Sequence, residues 1–83
     1  MNYKIKTEKV QELKEGKSNV YISKITGYSR QYLSRLFNAK EKFTEKTVLN
    51  IFKSLAVESN KLNTMLMKNG TEKTIKYFFE EIK

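Results

Sequence analysis

The chain has no cysteine, no histidine, no aspartate and no proline, and only three of its 83 residues are glycine. Each absence removes a class of function. Without cysteine there are no disulfides and no thiolate metal sites. Without histidine the usual general base and the commonest metal ligand are missing. All nine acids are glutamates, and nothing that remains resembles a nucleophilic triad, a zinc site or a calcium loop. An enzyme is therefore not expected, and neither is a metal or cofactor. The lack of proline and the scarcity of glycine leave no long flexible linker, so one domain over residues 1–83 is expected. The N-terminal stretch "MNYKIKTEKV" offers no apolar run for a signal peptide. No segment approaches the roughly 20 apolar residues of a membrane span. A cytoplasmic protein with no membrane partner is the expectation.

What is present is positive charge. Seventeen lysines and arginines against nine glutamates give a net charge of +8, and the excess is uneven. Residues 1–15 hold four lysines and three glutamates, whereas residues 16–43 hold Lys17, Lys24, Arg30, Arg35, Lys40 and Lys42 against Glu41 alone. Residues 44–83 hold seven lysines and five glutamates. A positive field concentrated in the middle third favours a polyanion such as nucleic acid or an acidic membrane surface. Within that third lies a second asymmetry. Fifteen of the seventeen cations are lysines, and the only two arginines, Arg30 and Arg35, both fall in "GYSRQYLSRLF", Gly27–Phe37.

The punctuation predicts short helices and no strands. A first helix is expected around Thr7–Glu15, with Val10 and Leu13 inward and Gly16 suited to the left-handed position that ends it. Ser18 can cap a second helix, "NVYISKIT", with Ile22 and Ile25 on its apolar edge and Gly27 at its end. Ser29 caps a third, whose apolar side is Tyr32, Leu33, Leu36 and Phe37. After the basic loop "NAKEKF", Thr44 caps a fourth helix, and Phe43 and Val48 have the spacing of a hydrophobic staple. Val48, Ile51, Phe52 and Leu55 follow the i, i+3, i+4, i+7 pattern, widened by Leu49 and Ala56. Ser59 is placed to cap a fifth helix with Leu62, Met65 and Leu66 inward. Asn69-Gly70 breaks it, and Thr71 caps a sixth with Ile75, Phe78, Phe79 and Ile82 on one stripe. The expected fold is all-α, a compact bundle of five or six short helices.

The second and third helices are joined by Gly27 and Tyr28, with Ser29 as the next cap. A turn this tight needs a positive φ, which glycine adopts without a Cβ clash. Ser23, small and four residues before Gly27, permits close approach of the two helices, and its hydroxyl must find a partner. This is the helix-turn-helix pattern.

The stretch "ISKITGYSRQYLSRLFNAKEKFTEKTVLNIFKSLAV" resembles the DNA-binding domain of the phage Cro and lambda-repressor type, also called the xenobiotic-response-element type. Ser23, Gly27, Ser29, Leu33, Leu36, Asn38 and the apolar helix starting at Thr44 stand where that family has them. The resemblance covers about residues 8–66 and leaves 71–83, an extra C-terminal helix, outside it. There are departures. Ser23 replaces the commoner alanine, and Lys17 stands where an apolar residue is common. Ala39 stands where a glycine usually follows the asparagine, so that Asn38 is expected to take the left-handed conformation.

The resemblance implies that the third helix lies in the major groove of double-stranded DNA with its N-terminal residues at the base edges. With Gln31 at zero, a 100° step per residue puts Ser34 at about −60°, Arg35 at about +40° and Arg30 at about −100°, while Leu33 and Leu36 fall on the opposite side. Arginine reads guanine through two parallel hydrogen bonds and glutamine can read adenine likewise; lysine is a point charge without that fork. Arg30, Gln31 and Arg35, supported by Ser29 and Ser34, are the expected base contacts. Asn19, which resembles the family's phosphate-binding amide, and Asn38, Lys40 and Lys42 are the expected phosphate contacts; Lys17, Lys24 and Tyr28 are weaker candidates.

The expected function is a sequence-specific transcriptional regulator, a repressor of a phage, plasmid or mobile-element promoter, bound as a homodimer to a palindromic operator. The tail stripe Ile75, Phe78, Phe79 and Ile82 has two open readings, closing the core or forming the dimer interface, and Tyr77 and Met67 could join such an interface. The alternative function is a protein-binding module, an antitoxin or phage-encoded inhibitor on the same scaffold, with the tail stripe and Tyr21, Tyr28 and Tyr32 as anchors.

Overall fold

The first residues, "NYKI", alternate polar and apolar, and they form a strand. In the computed structural model, which describes residues 1–82, β1 (Asn2–Ile5) buries Tyr3 and Ile5 on one face. It is the centre of a three-stranded antiparallel sheet of order β2-β1-β3. β2 is the two-residue segment Phe43–Thr44, in register Tyr3 to Phe43, and β3 is Phe79–Ile82, in register Ile5 to Phe79 and Lys4 to Glu80. Among the described residues there are also five α-helices: α1 (Val10–Lys14), preceded by one 3-10 turn at Thr7–Lys9, α2 (Asn19–Thr26), α3 (Arg30–Phe37), α4 (Glu45–Ala56) and α5 (Asn60–Phe78). The all-α expectation is thus overturned: the fold is mostly helical but mixed, with a sheet that joins the two ends of the chain to the loop after α3.

The helix starts follow local chemistry. Ser18, Ser29, Thr44 and Ser59 each accept a hydrogen bond from the backbone N–H three residues on, at Tyr21, Tyr32, Thr47 and Leu62, satisfying donors that a helix leaves open. Val48, Ile51, Phe52 and Leu55 are buried along α4. Leu49 is 41% exposed, so the apolar face is narrower than its composition suggests. Gly70, at φ 82° and ψ 168°, breaks the helical path of α5 where Asn69-Gly70 predicts a break.

The expected sixth helix does not run to the end. Phe79 turns extended, at φ −130° and ψ 152°, and the Phe78 carbonyl accepts from the Lys6 N–H at 2.8 Å. Leaving the helix there lets residues 79–82 satisfy the open side of β1. The tail stripe thereby closes the core: Ile75, Phe78 and Phe79 are buried and Ile82 is half-buried. Phe79 meets Phe43 edge-on with ring centroids 4.7 Å apart, and Phe52 lies 6.0 Å away. Three residues offered above as a dimer interface are therefore interior to this chain. Tyr77 is likewise occupied, with its hydroxyl donating to Glu12 at 2.7 Å and accepting from Lys9 at 3.1 Å. The Lys61 ammonium, also bonded to Glu12, and the Tyr77 hydroxyl hold that carboxyl below its ordinary pKa. Met67 remains 79% exposed.

Candidate nucleic-acid interface

α2 and α3 are set by the turn between them. Gly27 takes φ 84° and its N–H bonds the Ser23 carbonyl at 2.9 Å. Apart from Gly27 and its two chain neighbours, no described residue comes within 4 Å of where a Cβ would be, so the demand for glycine there is conformational rather than steric. The Ser23 hydroxyl finds its partner in the Tyr28 carbonyl across the turn. Ile22, Leu33 and Leu36 are wholly buried behind it and fix the crossing of the two helices.

The opposite face of α3 is polar. Arg30 and Gln31 are exposed, in a first turn that carries no acid. A cation at a helix N-terminus opposes the helix dipole, so Arg30 is a small local cost to the fold. Ser29 is committed as the cap. Ser34 is half-buried and takes a 3.3 Å bond from the Asn38 amide, which places both of these candidates in a short chain along the helix. Arg35 is exposed but engaged, with Nε bonding Glu41 Oε1 at 2.9 Å and its guanidinium carbon 6.0 Å from the Tyr32 ring centre. Lys40 and Lys42 are exposed and have no ion-pair partner among the described residues.

Beyond α3 the chain turns back through a Schellman ending. Ala39 bonds the Leu36 carbonyl at 3.2 Å and Lys40 the Arg35 carbonyl at 2.9 Å, the pattern that needs a left-handed residue between them. That residue is Ala39, at φ 59°, while Asn38 stays at φ −95°. This corrects the expectation that Asn38 would bear the left-handed conformation. An L-residue with a Cβ pays for that conformation and glycine does not. Ala39→Gly is accordingly expected to raise stability by about 0.5–1 kcal/mol, after the greater unfolded-state freedom of glycine is deducted. A higher urea midpoint at unchanged m-value is the readout; a lower midpoint would mean that the lost methyl contact outweighs the relieved strain.

Asn19 begins α2, and its Oδ1 accepts from the Lys14 ammonium at 2.8 Å. Lys14 is half-buried, lies 5.2 Å over the Phe37 ring and has no carboxylate partner among the described residues. Its burial pulls its pKa below the ordinary lysine value. The end of α1, the start of α2 and the end of α3 thus converge on one cation. With the Asn19 oxygen taken, the donor side of that amide is left for an external acceptor.

Sequence reasoning missed two members of this surface, Lys14 and Glu41. Lys14 carries no signal beyond its proximity to Asn19. Glu41 does carry one, as the lone acid in the basic third of the chain. Of the weaker candidates, Tyr28 is held internally, its hydroxyl accepting from Asn50 at 3.0 Å and its ring 5.4 Å from that of Tyr32. Among the described residues no helix is long and apolar enough to cross a membrane. The chain matches no protein-family model, no curated protein and no solved structure.

Proposed function

We propose that this chain is a sequence-specific double-stranded DNA-binding transcriptional regulator, a repressor acting as a homodimer on a palindromic operator, in the setting of a phage, plasmid or other mobile element. The observation that carries the reading is the division of α3: Leu33, Leu36 and Phe37 are buried, while Arg30, Gln31 and Arg35 are exposed on the other side, beyond a tight turn from α2. That is the disposition a recognition helix needs to enter a major groove. The net charge of +8, with Lys40 and Lys42 exposed just past α3, supplies the field for phosphates. The placement of Arg30 against the helix dipole supports the same reading, since local rules are most often broken where function requires it.

The homodimer follows from the operator symmetry of the proposed family, with half-sites about 34 Å apart. Its contact surface lies elsewhere than Ile75, Phe78 and Phe79, which are interior. The protein-gripping alternative loses the same three residues as anchors.

Selection from a pool of random duplexes, followed by binding at several salt concentrations, tests the proposal. The expected result is enrichment of one palindromic sequence. Its log affinity should fall linearly with log salt, by a slope of about 0.9 for each phosphate neutralised. Failure to enrich any duplex, or tighter binding to single strands or RNA, rejects it.

A further inference from the structure

The basic third of the chain, residues 16–43, contains one acid, Glu41, and that acid is bonded to one of the two arginines. We infer that Glu41 is a positioning residue for base readout: it holds the Arg35 guanidinium by its Nε edge and leaves the Nη1 and Nη2 pair directed outward to take a guanine. The inference rests on the DNA-binding reading above and specifies how one residue of that surface works.

Three observations carry it. The bond is made through Nε alone, at 2.9 Å. Arginine has five N–H donors in a rigid plane, and the four on Nη1 and Nη2 have no partner among the described residues. An arginine reads a guanine edge with just such a parallel pair of donors. Second, the backbone delivers Glu41 to that place. The Lys40 and Glu41 N–H groups both bond the Arg35 carbonyl, at 2.9 and 3.3 Å, so the loop is folded onto the residue whose side chain it steadies. The Tyr32 ring centre lies 6.0 Å from the guanidinium carbon. Third, the pair has little value otherwise. Its side chains are 47% and 41% exposed, and ion pairs so exposed contribute little to stability. A carboxylate beside a duplex also repels phosphate. Ordering a long side chain before binding would offset that repulsion.

The two roles of a carboxylate can be separated. Glu41→Gln keeps an oxygen that can accept from Nε but removes the charge. Glu41→Ala removes both. Both variants are expected to bind random duplex more tightly than the natural chain, because a negative charge is gone. On the selected operator they should diverge. Glu41→Gln should keep the preference among bases. Glu41→Ala should lose about three- to tenfold of the preference at one base pair, the same base pair at which Arg35→Ala loses it. In the double variant Glu41→Ala should add nothing further at that position, as expected of a residue that acts through Arg35.

Circular dichroism melting of each variant confirms that the fold is intact; an exposed side chain in a loop is not expected to shift it. If Glu41→Ala raises specific and random binding by the same factor, Glu41 is a bystander charge and the inference is overturned. A specific affinity that rises more than the random one would also overturn it, because Glu41 would then be withholding Arg35. If the natural chain enriches no duplex, the DNA-binding reading and this inference fall together; if it does and the base preference ignores Glu41, only the inference falls.

Discussion

Phe79→Ala is expected to destabilise the protein by about 3–5 kcal/mol, the range for removing a buried aromatic ring from a packed core. The ring is 1% exposed and fills the space between Phe43 and Phe52, at centroid distances of 4.7 and 6.0 Å. Those neighbours come from β2 and α4, so the cavity would lie where the sheet meets the helices. Small domains have about 5–15 kcal/mol in total, and a loss of this size takes a large part of it. Urea unfolding at several protein concentrations is the measurement. A loss independent of concentration identifies a core residue. Were Phe79 a dimer contact instead, the variant would keep a stable monomer and lose only the concentration-dependent part. As a contrast, Met67→Ala, at a side chain 79% exposed, is expected to change stability by no more than about 0.5 kcal/mol.

Phe79 also shows where the sequence is and is not legible. The residues 75, 78, 79 and 82 have helical spacing, and the first two are indeed buried on α5. Phe79 is buried as well, so the pattern fits to that point. The difference is that its backbone is extended and paired with Ile5. β3, "FEEI", does not alternate polar and apolar, and its partner β1 lies more than 70 positions away in the chain, so nothing local marks it as a strand. β2, only two residues long, is no better marked. The caps behave in the opposite way. Ser18, Ser29, Thr44 and Ser59 bond an N–H only three residues on, and Gly27 and Gly70 break helices through their own φ. Each of these is decided within one turn of chain, and each is readable there. Helix positions followed local rules, while the sheet followed long-range pairing.

The candidate surface divides along the same line. The 100° step separates Arg30, Gln31 and Arg35 from Leu33 and Leu36, and burial agrees with that separation, because the rotation of one helix is local geometry. Ser34 is less open than its angle suggests, since the Asn38 amide folds back over it. The partners of the polar side chains could not be read the same way. The bond from Arg35 to Glu41 depends on the chain doubling back at Ala39, where a left-handed alanine stands in place of the expected left-handed asparagine. The bond from Lys14 to Asn19 depends on the turn after α1, where Glu15 and Gly16 both have positive φ, 52° and 77°. Turn conformation decides which side chains meet, and a residue pattern fixes turn conformation poorly wherever an ordinary side chain adopts the left-handed region.

That division makes the two arginines unequal, and Arg30 is where the DNA-binding reading is most exposed to test. Arg35 is steadied by Glu41, whereas the Arg30 side chain has no hydrogen-bond or ion-pair partner among the described residues. Arg30→Ala is expected to cost about 1–3 kcal/mol on the selected operator and to relax preference at one base pair. The loss cannot be charged to unfolding. Arg30 is the first residue of α3, alanine is the better helix former, and removing a cation from a helix N-terminus is favourable; the variant should melt no lower than the natural chain. Arg30→Lys completes the test. It restores the charge but not the planar fork, so it should recover binding to random duplex without recovering the base preference. If alanine weakens every duplex by one factor and lysine restores that factor, Arg30 meets a phosphate. Base readout by α3 would then rest on Gln31 and the steadied Arg35.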